Sequence, residues 1–152
     1  MPLGEPRNLV KMNPIIAIKT YFLRKYALEL REPNPQRKWG PFREAVFQTV
    51  WIVTLPTVVV AGTILYLLLA TSFREQLANH RGVLEIMLGV VIPVAVYYFV
   101  RNLVREYESH PEAAAAFGSE VDKRICKVQF QIILAGAIAW PFVIVGLRKM
   151  LE

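Results

Sequence analysis

Three long, nearly charge-free stretches, Ala45–Phe73, Val83–Val100 and Val128–Leu147, are separated by short charged segments, and each carries one proline near its middle: Pro56, Pro93 and Pro141. About 20 apolar residues wound as a helix match the roughly 30 Å hydrocarbon thickness of a bilayer. The expected fold is therefore an all-α membrane protein with three transmembrane helices, spanning about 45–72, 83–104 and 128–147. Residues 1–44 form an N-terminal segment, 105–127 a connector, and 148–152 a short tail. With 55% hydrophobic residues in a chain of 152, too little lies outside the spans to build a sizeable soluble domain.

The net charge of +6 is spread around the hydrophobic spans. There it is better explained by membrane orientation and anionic lipid headgroups than by nucleic acid. Lysines and arginines number nine before the first span, two in Phe73–Gly82, five in Arg101–Lys127 and two after the third. Three crossings with the N-terminus inside put fourteen basic residues on the cytoplasmic side and four outside, counting the connectors in pairs. A second stretch that merely dipped into the bilayer and returned would divide them eleven to seven. The positive-inside bias favours three passes, N-in and C-out. Met1–Asn13 contains Glu5, Arg7 and Lys11 and does not read as a secretory signal, so the spans themselves are expected to direct insertion. Compact loops suit a bacterial inner membrane, with an organellar inner membrane as the alternative.

Asn13-Pro14 reads as a helix start, with asparagine as the cap and proline in the first turn, and Pro33 ends the helix after residue 32. At 100° per residue, Ile15, Ile16, Phe22, Leu23, Tyr26, Ala27 and Leu30 gather on one face, interrupted by Lys19. Arg24, Lys25, Arg31 and Glu32 lie opposite. Such an amphipathic helix can rest on a lipid leaflet, or pack on a partner protein or on the ends of its own spans. On the first reading Lys19, Arg24, Lys25 and Arg31, followed by Arg37, Lys38 and Trp39 in the proline-rich link, form the membrane-surface set.

In the second connector, Ser109-x-x-Glu112 resembles a capping box opening a short alanine-rich helix that Gly118 would end. Ser119 is the expected cap of the last helix.

Glu85 is an ionisable group inside the second span, about one turn from its outer end. Gly82, Glu85, Gly89, Pro93 and Tyr97 fall at spacings of three and four, on one stripe of a regular helix. A carboxyl there can bind a cation or relay protons, or it can simply anchor the helix end by pairing with Arg81, Arg74 or Arg148. Helix packing is expected at Ala61-Gly62 in the first span and at Ala135, Gly136, Ala139 and Gly146 in the third, where small side chains let backbones approach. Gln48, Gln129 and Gln131 are expected to be solvated at the membrane boundary.

Catalytic and cofactor chemistry is poorly supplied. His80 and His110 fall in opposite connectors, Cys126 is a single cysteine among cations, and no phosphate-binding loop or metal-ligand spacing is present. Ser109, His110 and Glu112 are neighbours in sequence, which is a weak sign of a triad beside the capping reading. No cofactor is expected. The chain reads as a non-catalytic accessory, assembly or scaffolding subunit that meets lipid and other membrane subunits or itself. The alternative is an oligomeric transporter or channel component using Glu85 and proline-kinked helices.

Overall fold

The computed structural model describes residues 13–33, 35–36, 38–69, 75 and 79–151, all of whose regular structure is helical. Arg37, Arg74 and the first twelve residues, with the expectations placed on them, lie outside the described residues. Helix α1 is Pro14–Arg31 and α2 is Pro41–Leu69. Helix α3 comprises Arg81–Ile86, a π-helical turn Met87–Val91 and Ile92–Val104. Two short 3₁₀ turns, Arg105–Glu108 and Pro111–Ala114, lead to α4, Glu120–Leu151. Helices α2, α3 with its first 3₁₀ turn, and α4 are each long and apolar enough to cross a membrane. The protein is a small multi-pass integral membrane protein.

The core sits at one end of this bundle. Phe22, Tyr26 and Ala27 of α1 are buried against Ala45, Val46 and Val50 at the start of α2 and against Val100 and Val104 at the end of α3. Val96, Val100 and Val104 recur every four residues, so they form one stripe facing α2. Phe22 is fully enclosed, its ring 5.4 Å from Phe42, 5.6 Å from Tyr26 and 6.1 Å from Tyr107. Fully burying an aromatic side chain of this size contributes about 1.5–3 kcal/mol. That cluster is the strongest apolar tie between α1 and the rest.

Away from this cap the helices bury little of one another. None of the most apolar 18-residue stretch of α4 is buried. Helix α2 packs between α3 and α4, and near the far end it meets α4 through polar groups. There Trp140 Nε1 donates to Thr63 Oγ1 at 2.6 Å, and Arg148 Nη1 donates to the Tyr66 hydroxyl at 3.1 Å.

Pro56 and Pro141 lie inside continuous helices, whereas Pro93 follows the π turn. Within that turn the Ile92 N–H reaches back five residues to the Met87 carbonyl. The extra residue rotates everything before it relative to everything after it. Gly82 and Glu85 therefore do not share a regular stripe with Pro93 and Tyr97, which corrects the alignment drawn from a 3.6-residue period.

Candidate functional site

The richest polar constellation joins α1 to the second connector. At the start of α4, Ser119 and Asp122 cap reciprocally: the Asp122 N–H donates to Ser119 Oγ at 3.2 Å and the Ser119 N–H donates to Asp122 Oδ2 at 2.9 Å. Asp122 Oδ2 also accepts from the Gly118 N–H at 2.9 Å and the Ser119 hydroxyl at 2.8 Å. This is a capping box in which aspartate replaces the commoner glutamate. The other carboxylate oxygen, Oδ1, lies 3.1 Å from Arg24 Nε, although Nε has no hydrogen bond aligned on it. The pair is held chiefly by charge.

Cations on α1 thus turn towards the protein. Arg31 Nη1 donates to the Gly118 carbonyl at 2.7 Å, and Lys19 Nζ donates to Glu106 Oε1 at 2.8 Å. That hydrogen bond holds the Lys19 ammonium above its ordinary pKa. From the connector side, Lys123 Nζ meets Glu32 Oε2 at 3.0 Å. Lys19, Arg24 and Arg31 are therefore engaged in docking α1 on the ends of the spans. Among the described residues Lys25 and Lys38 make no such contact, and Trp39 is half exposed with its ring 5.5 Å from Phe47. Ile15, Ile16 and Leu30, expected on the apolar face, stay exposed.

The connector departs from the capping pattern expected at Ser109. The Ser109 hydroxyl donates back to the Glu106 carbonyl at 3.2 Å, and Glu112 Oε1 is taken by His110 Nδ1 at 2.9 Å. With the serine turned to Glu106, Pro111–Ala114 forms only a 3₁₀ turn. Gly118 does not end it, because the turn stops at Ala114; the glycine, at φ +94°, lies just before the α4 cap. Gln48 also differs from expectation, because its amide Nε2 donates to Glu44 Oε1 at 2.8 Å and to Glu29 Oε1 at 3.2 Å, in a partly buried network. Sequence reading missed it because Glu29 and Gln48 lie on different helices.

Glu85 pairs with Arg81, one turn earlier, at 2.8 Å, and both side chains are largely exposed. No atom of another element stands within 4 Å of where a Cβ would sit on Gly62, Gly82, Gly89, Gly136 or Gly146. Ala135 and Ala139 are exposed, Ala61 half-buried. Among the described residues these glycines hence mark no close helix contact within one chain. Pro93 and Tyr97 are brought together with Trp51 and Thr54 around a groove of about 320 Å³ between α2 and α3. Cys126 is buried, and burial also pushes the phenol of neighbouring Tyr21 well above its ordinary pKa. Among the described residues no group of three or more His, Cys, Asp and Glu side chains is placed to hold a metal ion.

Compared with protein-family models, characterised proteins and solved structures, the chain matches none.

Proposed function

We propose that this membrane protein is a non-catalytic accessory or assembly subunit of a larger membrane complex, held N-in in a bacterial inner membrane. One observation carries the reading: α4 has an apolar stretch in which no residue is buried, and Ala135, Gly136 and Ala139 lie exposed on it. Lipid tails give helices no hydrophobic reason to associate, so close backbone approach at small residues is a principal source of contact. The chain spends its own packing on the cap, leaving these residues for another subunit or a second copy. Helix α1, pinned by charge to the connector, presents Ile15, Ile16 and Leu30 outward at the membrane boundary.

The test is purification from native membranes in a gentle detergent, with native mass analysis of what travels with the protein. A defined complex or oligomer is expected. The Ala135→Leu/Ala139→Leu double variant should lose the partner while melting at the same temperature, because neither side chain is buried. A protein that runs only as a lone monomer overturns the proposal.

A second reading, an oligomeric transporter or channel component, draws on the π turn directly before Pro93, since such turns recur at functional sites. Glu85→Gln in liposomes separates it. Ion flux present in the parent and lost in the variant supports ion coupling at Glu85, and flux absent from both removes it.

A further inference from the structure

At the end of the bundle that carries α1, a pocket of about 550 Å³ opens between α1, α2 and α4. That volume is within the about 300–1,000 Å³ usual for small-ligand sites. Its charged lining is Lys25 from α1, Glu44 from α2 and Lys127 from α4, and its apolar wall is Phe47, Trp51 and Phe130. Lys25 and Lys127 have no ion pair or hydrogen bond among the described residues, although Lys19, Arg24, Arg31 and Lys123 around them are all engaged. Glu44 is committed inward, buried, with its Oε1 accepting from Gln48. Two ammonium groups without a partner among the described residues thus line the pocket, beside a buried carboxylate that is already hydrogen-bonded.

The apolar wall sets the chemistry of what balances that charge. Phe47, Trp51 and Phe130 are all partly exposed, and they lie where two membrane-crossing helices begin their apolar stretches. Trp39, Phe47 and Trp51 form a descending series of edge-to-face contacts, at 5.5 and 6.0 Å, along the outside of α2. Aromatic rings at this depth suit an amphiphile whose charged group stays at the boundary while its chains enter the bilayer.

We propose that this pocket is a binding site for an anionic phospholipid, its phosphodiester accepting from Lys25 and Lys127 and its acyl chains lying along Phe47, Trp51 and Phe130. Two ammoniums favour a headgroup of net negative charge, such as a glycerol one, over choline or ethanolamine headgroups, which are neutral overall. The site goes beyond the assembly role and does not depend on it.

The experiment uses the full chain in choline-lipid nanodiscs doped with phosphatidylglycerol, read by native mass spectrometry of retained lipid. Quenching of Trp51 by brominated phosphatidylglycerol, in a Trp39→Phe/Trp140→Phe background, provides a second readout. A lysine beside an anionic headgroup strengthens binding about fivefold, so Lys25→Gln/Lys127→Gln should weaken retention about 25-fold. Lys38→Gln, which removes a charge outside the pocket, should leave it unchanged. Neither pocket lysine is paired among the described residues, so the double variant should melt like the parent. Equal retention of choline or ethanolamine lipid, an equal loss in the Lys38→Gln protein, full displacement by inorganic phosphate, or undiminished retention in the double variant would each overturn the site.

Discussion

Gly118 lies so close to Ala27 that a Cβ added to the glycine would sit 3.0 Å from the alanine Cβ and 3.3 Å from its carbonyl carbon. Its φ of +94° is one that side-chain-bearing residues rarely adopt. Steric room and backbone conformation thus demand glycine independently. Gly118→Ala should destabilise the protein by about 1–3 kcal/mol, read as a lower melting temperature in detergent. Ala27→Gly, itself costing about 1 kcal/mol inside α1, removes the 3.0 Å contact but not the φ strain, so Gly118→Ala should cost less in that background than in the parent. No cost at all there would show that φ contributes nothing.

Asp122 closes the α4 cap and faces Arg24, so its two oxygens serve different partners. Asp122→Ala removes the cap, typically about 1 kcal/mol, and also strands a largely buried guanidinium. Its cost should exceed that of Arg24→Met, which leaves the cap intact and keeps an apolar stem in place. Thermal unfolding of the two variants checks the order, and a cost for Asp122→Ala no greater than that of the cap alone, about 1 kcal/mol, would remove the charge pair from the account.

The spans were legible in sequence because bilayer thickness imposes a length and a composition on them. Local caps at Asn13 and Ser119 were legible for a similar reason: each needs only residues adjacent in the chain, and Asn13 Oδ1 indeed accepts from the Ile15 N–H. The cap of the bundle was not legible. Its defining contacts, Lys19 to Glu106 and Arg31 to Gly118, each join residues 87 positions apart, so no local pattern encodes them. The same holds for the π turn, which shifts the helix register without an unmistakable local signature. Of the candidate site residues, Lys25 could be placed on the polar face of α1, but its pocket with Lys127 exists only once α1 and α4 are packed.

Thr49 and Thr54 are both buried on α2 with opposite hydrogen-bonding. Thr49 Oγ1 donates to the Ala45 carbonyl at 2.7 Å, whereas Thr54 Oγ1 is buried without a partner among the described residues. Replacing an unpaired buried hydroxyl by a methyl removes a desolvation cost, and replacing a paired one loses its bond. Thr54→Val should therefore be neutral or stabilising by up to about 1–3 kcal/mol, and Thr49→Val destabilising by about 0.5–1.5 kcal/mol. Melting both variants in one detergent tests the contrast, which a loss of stability in Thr54→Val would refute.

The packing of α1 on the Pro111–Ala114 turn also constrains topology. Two segments in direct contact must emerge on the same side of the membrane. His80, at the opposite end of α3, precedes a crossing and must emerge on the other side. In a Cys126→Ser background, single cysteines at Ile16 and Ser109, both exposed, should react with a membrane-impermeant maleimide from the same compartment, and one at His80 from the other. Basic-residue counts assign the shared side to the cytoplasm, so intact bacterial spheroplasts should label only the His80 position. Labelling at Ser109 and His80 from one side would mean that α3 enters the bilayer and returns, and Ile16 opposite Ser109 would break the α1 cap itself.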